Sequence, residues 1–208
     1  MHRRSFLLGL STIALSRAAR ADDIDAVLAE IHKARSGIRT LVAPFTQERT
    51  IGLLATVVKS EGEMTLVRPD RLRWELKPPD AITYWITPEG IAYASPGGGG
   101  SVGKGAAGRF GAVLGDLMTL LGGDLAKLRA RYELAAEKKA SGTVLTARPR
   151  ADEVKKHVKS LALAMGADRW TVQRIEIEEQ GGDRSVITFG KVARDVLVDP
   201  AKMVPPKR

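Results

Sequence analysis

The sequence predicts an α+β protein built on a single, strongly curved antiparallel sheet, with helices packed on its inner, apolar side. Three observations predict this class. From Thr40 onward, most segments alternate apolar and polar residues with a period of two. The connections between them are short and rich in Gly, Pro and Asp, which favours antiparallel neighbours. Only two segments have helical spacing, and a sheet with one apolar face needs such helices as a cover.

The first 21 residues have the layout of a cleavable export signal. Arg3 and Arg4 precede an apolar run at residues 6–15, and an A-x-A cleavage pattern ends at Ala21. The arginine pair resembles a twin-arginine motif, and the general secretory route is the alternative. The apolar run is shorter than a bilayer-spanning helix, which disfavours the other reading, an uncleaved membrane anchor. We expect cleavage after Ala21 and a single domain over residues 22–208.

Composition excludes several classes of function. The chain has no cysteine, so neither a disulfide framework nor a lipid-modified cysteine is available. Loss of the four arginines in the signal lowers the formal net charge from +9 to +5, and aromatic residues make up only 5% of the chain. Nucleic-acid binders need a denser basic surface with stacking aromatics, so we expect no nucleic-acid partner. With three histidines and no paired carboxylates, we expect no metal, no cofactor and no enzymatic activity.

Two segments are predicted to be helical. In residues 22–37, apolar side chains recur at Ile24, Val27, Leu28 and Ile31. In residues 109–123, apolar side chains cover most of the helix circumference, and Asp116 is the only charged residue after position 109. Two internal glycines weaken this second helix by about 1 kcal/mol each relative to alanine. It is either an ordinary core helix or a movable lid.

The stretch GGGGSVGKG, residues 97–105, resembles a phosphate-binding loop. In that motif a serine or threonine follows the lysine and ligates Mg²⁺, whereas Gly105 stands there in this chain. The preceding segment is short and closed by Pro96, unlike the buried parallel strand that such a loop follows. We therefore interpret the stretch as a flexible loop that acts as a hinge for the second helix.

Ten strands are predicted, five before the second helix and five after it. Each has one apolar face and one polar face. Period-two counting puts Arg68 on the same face as Met64 and Leu66. A guanidinium among apolar neighbours needs acceptors, which the carbonyls of a helix end supply. The alternative is that Arg68 bends into water at the end of its strand.

The order of these segments resembles the periplasmic outer-membrane lipoprotein carrier family (LolA-type). The segments are PFTQER, VRPDRLRWEL and TPEGIAYAS, and the closing DPAKMVPPKR is similar to the end of that family's chains. The resemblance runs from about Asp22 to Pro206. Its motif residues are Phe45 with Gln47, Arg68 and Pro69 with Trp74, and Glu89 and Gly90 with Tyr93.

The resemblance implies that the curved sheet is an incomplete β-barrel with helices covering its concave apolar face, and that an apolar cavity inside this half-barrel receives acyl chains. It implies a periplasmic chaperone that shuttles lipid-modified proteins from an inner-membrane lipoprotein-releasing transporter to an outer-membrane acceptor, and we expect it to act as a monomer. It also implies that Arg68 hydrogen-bonds the helical lid and helps control its opening. Two alternatives stay open: a carrier of another lipid, such as a free acyl chain or a glycolipid precursor, and a regulatory module of the same fold.

The residues expected to line this cavity come from the apolar strand faces and from the second helix. They are Phe45, Met64, Leu66, Leu72, Trp74, Ile82, Tyr84, Ile86, Tyr93, Val113, Leu114, Leu117, Met118 and Leu121. Each methylene buried in such a cavity contributes about 0.8 kcal/mol, so several acyl chains would bind too tightly to be released. We therefore expect an apolar lid that competes with the ligand for the same surface.

Overall fold

The computed structural model describes residues 18–54, 56–103, 108–122 and 125–206. It contains helices α1 (Ala18–Arg35), α2 (Gly108–Gly122) and α3 (Asp152–Lys155), with short 3-10 helices at Gly52–Leu54, Leu125–Ala130 and Pro200–Met203. The strands of the first half are β1 (Thr40–Ile51), β2 (Thr56–Val67), β3 (Arg71–Leu76), β4 (Ile82–Thr87), β5 (Gly90–Ser95) and β6 (Gly98–Gly103). Those of the second half are β7 (Tyr132–Lys139), β8 (Gly142–Pro149), β9 (Val158–Gly166), β10 (Val172–Glu179), β11 (Arg184–Phe189) and β12 (Ala193–Arg194).

All strands of the described residues belong to one antiparallel sheet. Its order is β6-β5-β4-β3-β2-β1-β11-β10-β9-β8-β7, and β12 pairs with the beginning of β1. Every neighbour in the first half is a hairpin partner, as the short connections predicted. The sheet does not close, since β6 and β7 lie at its opposite edges. The predicted α+β class with a single incomplete barrel is confirmed.

The strand register gathers the apolar side chains on one face. Leu66 pairs with Leu72, and Leu72 with Ile86. The neighbouring row runs from Met64 through Trp74 to Tyr84 and Tyr93. Directly paired residues point to the same side of a sheet, so these two rows form one continuous apolar surface, as the period-two pattern predicted.

Two helices pack on the apolar side of the sheet, α1 against β7 and α2 against β4. On α1, Ile24, Val27 and Ile31 are buried at helical spacing. On α2, Leu117, Leu120 and Leu121 are buried in the same core cluster. Full burial of a leucine or isoleucine side chain contributes about 1.5–3 kcal/mol, so both helices are held to the sheet mainly by apolar packing. None of the described helices combines the length and the apolar character needed to cross a bilayer.

An aromatic cluster fixes the centre of the sheet. The rings of Phe45 and Trp74 stack with their centroids 4.0 Å apart, and Phe189 contacts both rings edge-on. Phe45 pairs across the strands with Gly62. A Cβ added at Gly62 would lie 2.3 Å from the Phe45 ring and 2.1 Å from the Glu75 carbonyl oxygen. Glycine is therefore required where this ring crosses the strand.

The interpretation of residues 97–105 as a flexible loop was wrong for most of the stretch. Residues 98–103 form the edge strand β6, which pairs with β5. The glycines allow a close approach rather than flexibility: a Cβ at Gly100 would lie 2.8 Å from the ring of Tyr93, its cross-strand partner. Lys104 and Gly105, the end of the predicted hinge, lie outside the described residues.

The predicted number of elements was also too low. Twelve strands are present in the described residues instead of ten, because β6 was interpreted as a loop and the last predicted strand, residues 183–195, contains both β11 and the two-residue strand β12. The short helix α3 was missed as well, since its four residues hold no helical period. Helix α1 begins at Ala18, before the predicted cleavage point, and its described packing begins at Ile24.

We expect Gly62→Ala to lower the free energy of unfolding by about 1–3 kcal/mol, because the added methyl group displaces the Phe45 ring or the β3 backbone. Thermal or urea unfolding measures this change. Gly181→Ala is the matched control, since a Cβ at Gly181 meets no atom within 4 Å. Equal stabilities of the two variants would contradict the role given to Gly62.

Candidate functional site

The apolar face under α2 is the candidate site. Of the residues predicted to line a cavity, eight are buried in one core cluster: Phe45, Met64, Leu66, Leu72, Trp74, Ile86, Leu117 and Leu121. Tyr84 and Met118 are partly buried and pack against that cluster, and Ile82 is half-buried. Tyr93, near the sheet edge, is 42% exposed. The side chains of Val113 and Leu114 lie outside the described ones.

In this structure the apolar face is covered rather than empty. Helix α2 contacts β4, and Leu117, Leu120 and Leu121 are buried together with the side chains of β2, β3 and β4. Among the described residues, side chains therefore occupy the space between α2 and the sheet. The two pockets found at the end of the sheet contain none of the predicted cavity residues.

A buried arginine links the two helices. Arg35 is the last residue of α1 and only 2% exposed. Its Nη1 donates a hydrogen bond of 2.8 Å to the carbonyl oxygen of Leu120, in the last turn of α2. The last carbonyls of a helix lack intrahelical partners, so a guanidinium is well suited to this position. Arg35 was not predicted as a site residue, although it follows Ile31 by four residues on the buried face of α1.

Among the described residues, Arg68 hydrogen-bonds the end of α1 and not α2, contrary to the expectation that it binds the second helix. Its Nη1 donates to the carbonyl oxygen of Arg35, and at 3.3 Å to that of Ile38. Both acceptors lie at or just beyond the end of α1, which has free carbonyls like any helix end. Arg68 thus holds α1 in place, and Arg35 connects α1 to α2.

The guanidinium of Arg35 lies in an unfavourable environment. Its Nε and Nη2 have no hydrogen-bond partner in the described part of the chain. Burial, and to a smaller extent the neighbouring charge of Arg68, lower the pKa of Arg35 to about 10, although Asp168 acts in the opposite direction. Burying a charge with unpaired donors costs free energy, so this contact stabilises the packing of α2 less than a fully paired one would.

A second polar contact holds the middle of α2. Asp116 is 3% exposed, and its carboxylate accepts hydrogen bonds from Arg131 and from the hydroxyl of Tyr132. Burial raises the pKa of Asp116, and the two donors oppose this effect. Burial and the nearby carboxylate also raise the pKa of Tyr132. The sequence marked Asp116 as an unusual charge in an apolar helix but did not reveal its partners.

A groove of about 840 Å³ lies at one end of the sheet, next to the chain's C-terminal segment. Thr40, Val67 and Arg71 line it from the strands, and the segment from Asp195 to Val204 lines it from the other side. A smaller pocket of about 350 Å³ adjoins it at Arg71, near Trp85. The indole nitrogen of Trp85 donates to the carbonyl oxygen of Lys202 at 2.9 Å, which fixes the C-terminal segment to β4.

The chain is similar to known proteins in sequence over one segment and in fold over most of its length. The model of the family "Outer membrane lipoprotein carrier protein LolA" matches residues 36–84, which include the F-x-Q and R-P-x-x-x-x-W motifs. Among curated protein sequences, no significant match exists. The resemblance to the LolA-type family that the sequence predicted is confirmed.

Solved structures share the fold at low sequence identity. An uncharacterised conserved protein from Thermus thermophilus matches with a TM-score of 0.54 and 12% identity, over 89% of this chain and 95% of its own. A DUF1329 family protein from Desulfovibrio piger matches with a TM-score of 0.53 and 10% identity, over 87% and 97%. A LolA superfamily protein from Nitrosomonas europaea has a TM-score of 0.47 and 9% identity, over 87% and 97%. At these identities, the first two matches show the fold alone.

The raised pKa of Asp116 predicts a pH dependence of stability. The folded state holds the Asp116 proton more tightly than the unfolded state, whose pKa is the ordinary 3.8. The stability contributed by this group is therefore largest below pH 3.8 and is lost as the pH rises toward the raised pKa. We expect the free energy of unfolding of the wild type, relative to Asp116→Asn, to fall as the pH increases.

Urea unfolding of both proteins across the acidic range measures this difference. Tyr132→Phe removes a donor that opposes the shift, so we expect a steeper fall in that variant. A difference that instead grows with pH would show that the Tyr132 and Arg131 hydrogen bonds outweigh burial.

Proposed function

We propose that this protein is a carrier that receives acyl chains between the concave face of its sheet and helix α2. One observation carries the proposal: a wide apolar face lies under a helix whose polar attachment includes an incompletely paired buried arginine. Such a cover is displaceable, because an acyl chain replaces the apolar packing that α2 loses. Helix α2 then acts as the lid that the sequence analysis considered, and the hydrogen bond from Arg35 to the Leu120 carbonyl is one of its fastenings.

The lid also explains how a tightly bound acyl chain can be released. Each methylene transferred into the site contributes about 0.8 kcal/mol, so one chain of sixteen carbons gains on the order of 12 kcal/mol. Reclosing of α2 recovers the burial of Leu117, Leu120 and Leu121, at about 1.5–3 kcal/mol each. The net affinity is the difference between these free energies. A ligand can therefore be held firmly and still be passed to an acceptor.

More specifically, we propose that the cargo consists of lipid-modified proteins. The carrier takes them from an inner-membrane lipoprotein-releasing transporter, crosses the periplasm as a monomer, and delivers them to an outer-membrane acceptor. The family model that matches residues 36–84 supports this form. The proposal includes no catalytic step, since the site offers apolar side chains and arginine donors.

A second candidate is a carrier of another lipid in the same site. The observation that favours it is the pair of unpaired donors on Arg35, which suits a polar head group at the end of an acyl chain.

Weakening the closed lid tests the proposal. We expect Leu120→Ala to increase the affinity for a palmitoylated peptide by at least about tenfold, because loss of a buried leucine destabilises the closed state by about 2–5 kcal/mol. Leu120 was not predicted to contact the ligand, so its removal should not weaken the open site. Calorimetric or fluorescence titration measures the affinity.

Leu145→Ala is the matched control, because Leu145 is 1% exposed and lies in β8, on the other half of the sheet. It should lower stability by a similar amount and leave the affinity unchanged. Equal affinities of the wild type and both variants would contradict a lid that competes with the ligand.

The cargo is identified by depletion of the protein in its own cell. If lipid-modified proteins are the cargo, we expect lipid-anchored outer-membrane proteins to accumulate in the inner membrane after depletion. Mass spectrometry of lipids that copurify with the protein separates the two candidates. Normal sorting together with a bound free lipid would favour the second one.

A further inference from the structure

We propose that Arg35, with Arg68 beside it, forms a receptor under the lid for an acidic lipid head group, a carboxylate or phosphate joined to an acyl chain. The inference rests on the proposed acyl-chain site and favours the second candidate cargo, another lipid, because the ester- and amide-linked chains of a lipid-modified protein carry no acidic head group. It selects among cargoes by charge, whereas the apolar face selects only for hydrocarbon.

The unused donors of Arg35 are the first observation. A guanidinium has five N–H donors. Among the described residues, Nη1 binds the Leu120 carbonyl, whereas Nε and Nη2 bind nothing, although Arg35 is 2% exposed. Buried donors without partners are unfavourable in the closed state. When α2 moves away, Nη1 also loses its acceptor, so all donors of the Arg35 guanidinium become available to a ligand on the apolar face.

The charge of the surroundings is the second observation. Arg68 lies close enough to lower the pKa of Arg35, and no carboxylate is hydrogen-bonded to either arginine in the described residues. Asp168 is the acidic group that acts on Arg35 from a distance. Its two oxygens accept from Trp170 and Thr171 within their own turn. Two adjacent cations without a bonded counter-charge favour an anion over a neutral carbonyl oxygen.

The position of the pair matches the end of a bound chain. Arg35 ends α1, and Arg68 directly follows β2, whose Met64 and Leu66 lie in the apolar rows of the concave face. An acyl chain lying along these rows would therefore have its head group at the arginines. Planar guanidinium groups bind carboxylate and phosphate oxygens in a bidentate manner, which fixes the direction of the chain.

Binding of three sixteen-carbon probes tests the inference. Palmitate, hexadecyl phosphate and hexadecanol are each titrated into the wild type and into Arg35→Met, with Arg39→Met as the control for loss of an exposed arginine. The ratio of palmitate to hexadecanol affinity is compared between proteins, because this comparison cancels the different hydration of the probes. We expect the ratio to fall about tenfold in Arg35→Met and to stay unchanged in Arg39→Met.

The phosphate probe separates the two sources of the anion. A larger loss for hexadecyl phosphate than for palmitate assigns a phospholipid head group, and the reverse assigns a free fatty acid. An unchanged ratio in Arg35→Met overturns the inference but leaves the acyl-chain site intact. Failure of all three probes to bind the wild type overturns the proposed function itself.

A measurement on the wild type tests the inference without relying on the folding of a variant. Palmitate labelled with ¹³C at its carboxyl carbon reports its own ionisation by chemical shift. In the receptor, the two arginines should hold the pKa of the bound carboxyl below that of palmitate in neutral detergent micelles. A pKa equal to or above the micelle value would overturn the inference, because a carboxyl buried away from the arginines titrates at higher pH.

Discussion

The structure depends on one constraint: a broad apolar sheet face has to be kept from water although the sheet does not close on itself. A closed barrel would fill its own interior, whereas β6 and β7 remain at opposite edges here. Helix α1 covers part of the face through Ile24, Val27 and Ile31, and α2 covers a further part beside β4. The cover is therefore a separate element, and its removal exposes a surface suited to hydrocarbon.

The polar contacts that hold α1 differ from those that hold α2. Arg68 donates to carbonyls at the end of α1, so the end of that helix is fastened to β2. Helix α2 is fastened through Arg35 and through Asp116, and both of these groups carry the cost of burial. A buried charge that is incompletely compensated weakens the state that buries it. The helix that is proposed to move is thus the one whose polar contacts cost more free energy.

The strands of the sheet were predicted well because the alternation of apolar and polar residues depends only on residues that are close in the sequence. Met64, Leu66 and Trp74 face one way whatever the rest of the chain does. The glycine stretch was misassigned because its glycines serve a cross-strand neighbour, Tyr93, that local composition does not reveal. Arg35 was missed because an arginine at a helix end is usually solvated, and its burial follows only from the docking of α2. The partners of Asp116 depend on the same docking, so neither contact was available from spacing alone.

Hydrogen–deuterium exchange of the protein with and without saturating palmitate shows whether α2 leaves the sheet when the ligand binds. We expect palmitate to speed exchange of the α2 amides at residues 115–122, because the helix leaves the sheet, while β2, β3 and β4 remain protected. Full protection of α2 in the loaded protein would show that the ligand binds without displacing this helix, and α2 would then not be a lid.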